Sequence, residues 1–521
     1  MNRTRRTPLG ELFGGDCPAL PLDLLRIFVA LLAGIYFLNL FQEAADFSGP
    51  DGLLDHALVQ EIFPFTRLGL FHPGVSLGVL RVVYAFAAAA SLAVLAGWRV
   101  KFFAACQFLA AVSAFRWNFL TAYVEDAIMH LMLLWLLLLP VGRTLVFAEA
   151  WRDPRVAWRR WLAVRVPGTA VGAFLCNLAL IYLVAGLWKW TSPMWRDGTA
   201  LFVVLKLPIA HAPDFWQPAH LTVLKFFNWA ALVAEPLLPL ALLLRRGHPL
   251  KWLLLAALAG FHLGIVVTLK IPFANLACLA ASVVTFREEI MAWLAPHISP
   301  PPDRRLEPCG FAGRCAVGFV IVLALAMLRF VPAATEVKPQ DYNAEKLSID
   351  PRGGGGLAAV HEKLYYALWF AGVAQEYQLF NWIDTRNHHV RYEVTEFADG
   401  GVRPIDPVEI FPRTNHSILL QCYLHDLNWF AVPAAHNAAL KRSLALRFAQ
   451  RYCRTHTPRG TVIVTASIER IMATRPWPVE HPPHVLFSFS FRDGAVILHD
   501  VPGDSPVRPT QVARLSSATA P

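Results

Sequence analysis

Apolar residues fill long stretches of the first two thirds of the chain, with polar residues gathered into short interruptions between them. Read with a window of about 19 residues, the pattern marks nine apolar segments, near 20–41, 76–97, 101–116, 126–142, 169–189, 222–244, 250–270, 272–294 and 313–332. A hydrocarbon core about 30 Å thick needs about 20 such residues in a helix, so these segments predict a polytopic bundle. After about residue 332 the pattern changes. "VKPQDYNAEKLSIDPRGGGG" reads as a linker, with Gly353 to Gly356 as a flexible joint. Beyond it, "HHVRYEVTEF" and "TVIVTASIERI" alternate as strands do, and "NAALKRSLALRFAQRYC" has helical spacing. In "HVLFSFSFRDGAVILHDV", Asp493-Gly494 is a two-residue hairpin turn. The expected fold is therefore a polytopic α-helical membrane protein of about nine transmembrane helices, with a C-terminal extracytoplasmic α+β soluble domain. The expected divisions are 1–332 for the membrane domain, 333–356 for the linker and 357–521 for the external domain.

Composition supports the membrane reading. Of 521 residues, 56% are hydrophobic and only 16% charged, too apolar for an ordinary soluble enzyme of this size. The net charge of +10 does not point to nucleic acid, because the basic residues are spread through short loops rather than gathered on a polar domain. Loops on the N-terminal side of the nine segments hold eighteen Lys and Arg, and the opposite loops hold six. Cytoplasmic loops carry this excess, so the N-terminus is expected inside and the tail after about Val331 outside the cytoplasm. Met1 to Arg6 is basic, yet the first apolar segment is long enough to span, so it reads as an uncleaved anchor of an inner (plasma) membrane protein. Of the eight cysteines, Cys422 and Cys453 fall in the external domain, where an oxidising compartment permits a disulfide. No spacing suits a zinc or iron–sulfur centre, and no metal is expected.

Ionisable residues at membrane depth are costly and tend to be functional. Lys189 closes the fifth segment between Trp188 and Trp190. One reading makes it a snorkelling anchor in an aromatic belt. The other notes that Tyr182, Ala185, Gly186 and Lys189 share a helical face, where the small residues admit a neighbouring helix and leave the lysine against protein. A desolvated lysine loses proton affinity, and its neutral form can act as a base. Glu125, Asp126 and His130 open the fourth segment; Asp126 and His130, four apart, suit an acid/base pair, a weak metal site for which two ligands are too few, or merely a capped helix start. His262 lies inside the seventh segment, Glu235 precedes Pro236 in the sixth, and Asp23 and Arg26 are spaced to pair in the first. For these last three the structural reading is preferred.

Four blocks in order resemble a known family: "GPDGLLD" (Gly49 to Asp55), "HPGVSL" (His72 to Leu77), "IYLVAGLWKWTSPMWRDGTAL" (Ile181 to Leu201) and "FHLGIVVTLKIPFANL" (Phe261 to Leu276). They look like the horizontally transferred transmembrane (HTTM) domain shared by the vitamin K-dependent gamma-carboxylase and its bacterial relatives, over roughly residues 10 to 290. The resemblance implies a membrane enzyme that oxygenates a reduced quinone, vitamin K hydroquinone or menaquinol-like, with O2 and CO2 as co-substrates. It places the family's quinol-deprotonating lysine on Lys189, on the side away from the cytoplasm. His262 and Tyr182 would line the pocket with Trp195 and Asp197, and Glu125, Asp126, His130 and Asn118 would form its polar rim. Dioxygen addition would give an alkoxide able to take a proton from a glutamate γ-carbon, which CO2 then captures as the quinone leaves as an epoxide. A secreted peptide or protein would be presented by the external domain. The family's Asn-His pair is altered, because Phe119 follows Asn118 and Glu125 or Asp126 would occupy the histidine's place. An acid beside a carbanion is electrostatically unhelpful. This favours quinol epoxidation without carboxylation; a non-catalytic membrane assembly or peptide-maturation factor, which keeps the fold without its chemistry, is a separate alternative.

Overall fold

The computed structural model describes residues 12–13, 15–207, 209–244, 247–294, 310–327, 364, 368, 388–398, 401–406, 414, 416–418, 420, 434–470, 480–499 and 512–514. The linker 333–356 and Cys422 lie outside the described residues. Each of the nine apolar segments contains a helix: α1 (Leu20–Glu43), α2 (Leu77–Leu95), α3 (Val100–Trp117), α4 (Val124–Leu138), α5 (Thr169–Thr191), α6 (Leu221–Leu237), α7 (Pro249–Thr268), α8 (Pro272–Val283) and α9 (Phe311–Met327). Five of them, α1, α2, α5, α6 and α7, belong to helical stretches long and apolar enough to cross a membrane. The described chain is thus mostly helical, with a sheet region at its C-terminal end.

The expected pairing of Asp23 with Arg26 is present, and it does more than join two turns of α1. Arg26 Nε donates to Asp23 Oδ1 at 2.7 Å, and both side chains are fully buried. The guanidinium also donates to the carbonyls of Val94 and Leu95 at the end of α2, and to those of Thr144 and Leu145 beyond α4. Asp23 in turn accepts from the backbone N–H groups of Gly142, Arg143 and Thr144 and from the Thr144 hydroxyl. A buried charge is tolerated only when paired and hydrogen-bonded. This knot meets both conditions and fixes two segments, the end of α2 and the stretch beyond α4, to one point on α1.

At the C-terminal end, β1 (His388–Ala398), β2 (Gly401–Ile405), β3 (Thr461–Arg470), β4 (Glu480–Arg492), β5 (Ala495–Leu498) and β6 (Val512–Arg514) form one antiparallel sheet in the order β2-β1-β3-β4-β5-β6. Asp493 and Gly494 turn the β4–β5 hairpin with φ of 49° and 75°, the left-handed pair that a two-residue turn between twisted strands requires. Helix α10 (Ala434–Thr455) covers one face. Its Leu440, Leu444, Phe448 and Tyr452 recur every four residues and share a core with Val462, Val464, Phe487 and Phe489, which alternate along β3 and β4. Cys453 is buried in the same core.

The polar side of α10 grips the "GPDGLLD" loop. Arg447 donates to the Pro50 and Gly52 carbonyls, Arg451 pairs with Asp46, Arg454 donates to the Asp51 carbonyl, and the Ser443 hydroxyl donates to Asp55. Leu53 and Leu54 of the loop are buried in the α10 core. The sheet region and the helical part therefore share one hydrophobic cluster.

Replacing Arg26 by Met leaves the Asp23 carboxylate buried without its cation. The expected loss is about 3–5 kcal/mol, the cost of breaking a buried pair, read as a fall in thermal unfolding temperature of the detergent-purified protein. Unchanged unfolding in Arg26→Met would overturn the assigned role.

Candidate functional site

Lys189 does not reach for solvent. Its side chain is 3% exposed, and Nζ donates to Glu235 Oε2 of α6 at 2.5 Å; Glu235 is equally buried. The ammonium also lies over the rings of Trp195 and Phe261, at 5.4 and 5.8 Å from their centroids, an arrangement that attracts a desolvated cation. The anchor reading of Lys189 fails because its head group points inward.

Local sequence explains why α5 and α6 come close enough for this pair. A Cβ at Gly186 would stand 2.7 Å from Pro236 Cδ and 2.9 Å from Pro236 N, so only glycine fits the contact. Proline in turn lacks an N–H and strands the carbonyl four residues earlier. That carbonyl, Leu232 O, accepts from Trp190 Nε1 at 3.0 Å. The two tryptophans beside the lysine thus divide their work: Trp188 is buried, while Trp190 repairs the proline break.

The pair lies in the wall of a cavity of about 510 Å³ between α4, α5, α6, α7 and α8 and the Ala200–Val204 helix. The lining is largely aliphatic and aromatic, with Tyr182, Lys189, Asn228, Glu235, His262, Thr268, Asn275 and Cys278 as its principal polar side chains. Across the cavity wall the Tyr182 hydroxyl meets His262 Nε2 at 2.6 Å, and His262 Nδ1 meets Asn275 Oδ1 at 2.8 Å. Asn275 Nδ2 donates to Ile271 O at 2.7 Å, which turns Oδ1 toward the imidazole. His262 Nδ1 therefore donates, and Nε2 accepts from Tyr182. Among the described residues nothing hydrogen-bonds Glu235 Oε1, a buried carboxylate oxygen beside an open volume.

Tyr182, His262 and Trp195 line this cavity as expected, but the expected polar rim does not. Asn118 donates to Ser48 Oγ at 2.8 Å, part of a buried group with Tyr84. Glu125 accepts from the Phe273 N–H at 2.7 Å, capping α8, which has no side-chain cap of its own. Asp126 accepts from the Tyr123 N–H at its own helix start and from the Tyr36 hydroxyl, both at 2.8 Å. His130 is fully buried, edge-on to Phe115. Asp197 accepts from the N–H and hydroxyl of Thr199, closing a turn. On α4 it is Val124 and Ile128 that face the cavity, which turns Asp126 to the other side of the helix. Among the described residues no group of three or more His, Cys, Asp or Glu is placed to hold a metal ion. The residue missed as chemistry was Glu235, whose signal was a carboxylate in an apolar span that needed a partner.

Behind α4, His416 of the C-terminal region reaches into the helical part. Its Nδ1 lies 2.5 Å from Glu43 Oε2 and its Nε2 3.9 Å from Asp126 Oδ2. Burial alone would lower its proton affinity, but the bonds to Asp126 and Glu43 override it and push the imidazole up to about 10.

Comparison of the chain with protein-family models, curated proteins and solved structures returns no match.

Two outcomes follow from this geometry. Gly186→Leu forces α5 away from Pro236 and separates Lys189 from Glu235; cysteine cross-linking across the α5–α6 contact should fall, and wild-type cross-linking would contradict the assignment. At His416 the folded-state value lies above the ordinary 6.5, so its contribution is complete below about pH 6.5 and is lost as pH rises through about 10. A fluorescence distance between α10 and α1 should lengthen over that window in the wild type and stay flat in His416→Gln; a flat wild-type response would refute the contact.

Proposed function

We propose that the chain is an integral membrane enzyme, similar to bacterial vitamin K-dependent gamma-carboxylase-like proteins, in which Lys189 removes a proton from a reduced quinone ahead of its oxygenation. The observation that carries this reading is a charge pair of zero net charge inside a largely apolar cavity, with one carboxylate oxygen left unbonded. In the proposed topology all nine apolar helices span the inner membrane, the N-terminus is cytoplasmic and the C-terminal domain extracytoplasmic.

A reduced quinone, vitamin K hydroquinone or menaquinol-like, supplies a weakly acidic hydroxyl and a ring that O2 converts to an epoxide with release of water. Its fit to the cavity rests on Glu235 Oε1, a buried acceptor that a ligand hydroxyl would satisfy. The Lys189–Glu235 hydrogen bond gives the pair's proton a second place on Glu235, and the proposed reactive state is the one in which that transfer has left the amine neutral, with no separated charge. In that state Lys189 is a base. Once it has taken a proton, the ammonium offsets the anion it has made, and the faces of Trp195 and Phe261 hold it in place. Tyr182, fixed through His262 and Asn275, offers its phenolic oxygen as a second polar contact at the wall.

Oxygenation without carboxylation is the second reading, and the surroundings of Asn118 favour it. Asn118 is tied to Ser48, Phe119 packs among Phe63, Phe65 and Phe115, and Glu125 is spent on the α8 terminus. None of these offers a cation to an incoming CO2. If carboxylation does occur, the C-terminal domain presents the secreted peptide or protein that receives it. A non-catalytic assembly or peptide-maturation role is what remains if the lysine proves dispensable.

Purified protein in lipid nanodiscs, given quinol, O2 and labelled CO2, tests these readings together. Lys189→Met should lower epoxide formation by about 10²–10⁴-fold, the range for a general base, and Lys189→Met/Glu235→Gln, which buries no lone charge, should do the same while remaining folded. Undiminished turnover in the double variant would sink the catalytic reading. Epoxide without incorporated label selects the second reading.

A further inference from the structure

The cavity is not closed on all sides. Helices α6 and α7 lie in the least covered of the five long apolar stretches, 28% and 22% buried against 72% for that of α5. Where the two helices flank the cavity, its wall is itself surface: Val223, Phe226 and Phe227 of α6 are 59%, 67% and 54% exposed. Opposite them, Ala256, Gly260 and Gly264 of α7 also line the cavity and are exposed, and they fall on one stripe at four-residue spacing. A Cβ at Gly260 or Gly264 would meet nothing within 4 Å. The opening is therefore an apolar slot on helix faces suited to lipid, with bulky side chains on one edge and almost none on the other. At its inner end stands Glu235 Oε1, buried and without a donor among the described residues.

We infer that this slot between α6 and α7 is a lateral portal through which an amphiphile dissolved in the bilayer enters. Its hydroxyl-bearing head group reaches Glu235 Oε1 while its hydrocarbon tail lies along the glycine stripe and trails into lipid. The head must be neutral and carry a hydrogen-bond donor, because Lys189 is already matched by Glu235 and the remaining acceptor is a carboxylate oxygen. The tail must be apolar, because water has no polar edge to follow across Val223, Phe226 and Phe227. A tail longer than the cavity is accommodated, since it need not be enclosed. The inference rests on reading the cavity as a quinol site, but its test does not depend on turnover.

The full-length protein in phosphatidylcholine nanodiscs would be irradiated with a benzoquinol bearing a photoreactive diazirine on a ten-carbon chain, and labelled peptides mapped by mass spectrometry. Labels are expected on α6 and α7 around Phe226 and Gly264, competed by the same quinol without the diazirine. Gly260→Leu/Gly264→Leu, which meets open space and strengthens the helix, should cut labelling at least about tenfold by filling the slot that the tail would occupy. Binding of the bare benzoquinol ring, small enough to need no portal, should change less than about twofold. Labels mapping elsewhere, or labelling unaffected by the double leucine, would overturn the portal. Lys189→Met/Glu235→Gln, which buries no lone charge and keeps an acceptor oxygen at position 235, should keep the labelling while losing epoxide. Labelling without turnover in the wild type would remove the proposed chemistry and leave the portal standing, whereas turnover with unblocked labelling in the double leucine variant would do the reverse.

Discussion

An ammonium and a carboxylate 2.5 Å apart, each 3% exposed, set the terms for the surrounding structure. Neither charge is tolerable alone at that depth, so α5 and α6 must meet at one height and with one rotation. Gly186 supplies the clearance and Pro236 occupies it. Pro236 then leaves the Leu232 carbonyl without its helical donor, and Trp190 supplies one from α5. The requirement to pair Lys189 with Glu235 thus propagates through four neighbouring residues, each answering a difficulty created by the last.

The other cavity walls are joined by polar links of the same kind, each crossing between helices rather than running along one. His262 and Asn275 bind α7 to α8, and Tyr182 brings α5 to the same imidazole. Glu125 binds α4 to the first turn of α8, where an uncapped N-terminus has N–H groups to spare. Apolar packing between helices gives little directional preference when the surroundings are equally apolar. Hydrogen bonds across the bundle therefore fix which faces look inward. The Asp23–Arg26 knot performs the corresponding task at the far ends of α2 and α4.

What could be read from the chain was what depends on near neighbours. The apolar runs located the helices, alternation and Asp493-Gly494 located the hairpin, and three-residue spacing paired Asp23 with Arg26. The face bearing Tyr182, Gly186 and Lys189 was legible for the same reason, since helical rotation is set locally. Glu235 was not, because its partner is 46 residues away and the contact exists only after two helices have chosen their mutual rotation. Glu125 and Asp126 misled in the opposite way. Adjacent acids at a helix start look like one cluster, but adjacent residues on a helix point about 100° apart, and these two serve α8 and Tyr36 respectively.

Helix α4 consequently has two faces with different duties. Val124 and Ile128 close the cavity, while Asp126, turned away, takes the Tyr36 hydroxyl and lies 3.9 Å from His416 of the C-terminal region. Glu43 at the end of α1 holds the other nitrogen of that imidazole, and the loop from Asp46 to Asp55 is gripped by α10. The C-terminal region is therefore tied to the bundle through the very helix that walls the cavity, with no more than the thickness of α4 between them. A displacement of His416 acts directly on Glu43, on Asp126 and on the Tyr123 ring that packs edge-on to the imidazole, and Asp126 also holds the first turn of α4 by accepting from the Tyr123 N–H. The sheet region is in this sense part of the support of the cavity, reaching Asp126 by charge alongside the apolar cluster that it shares with the helical part.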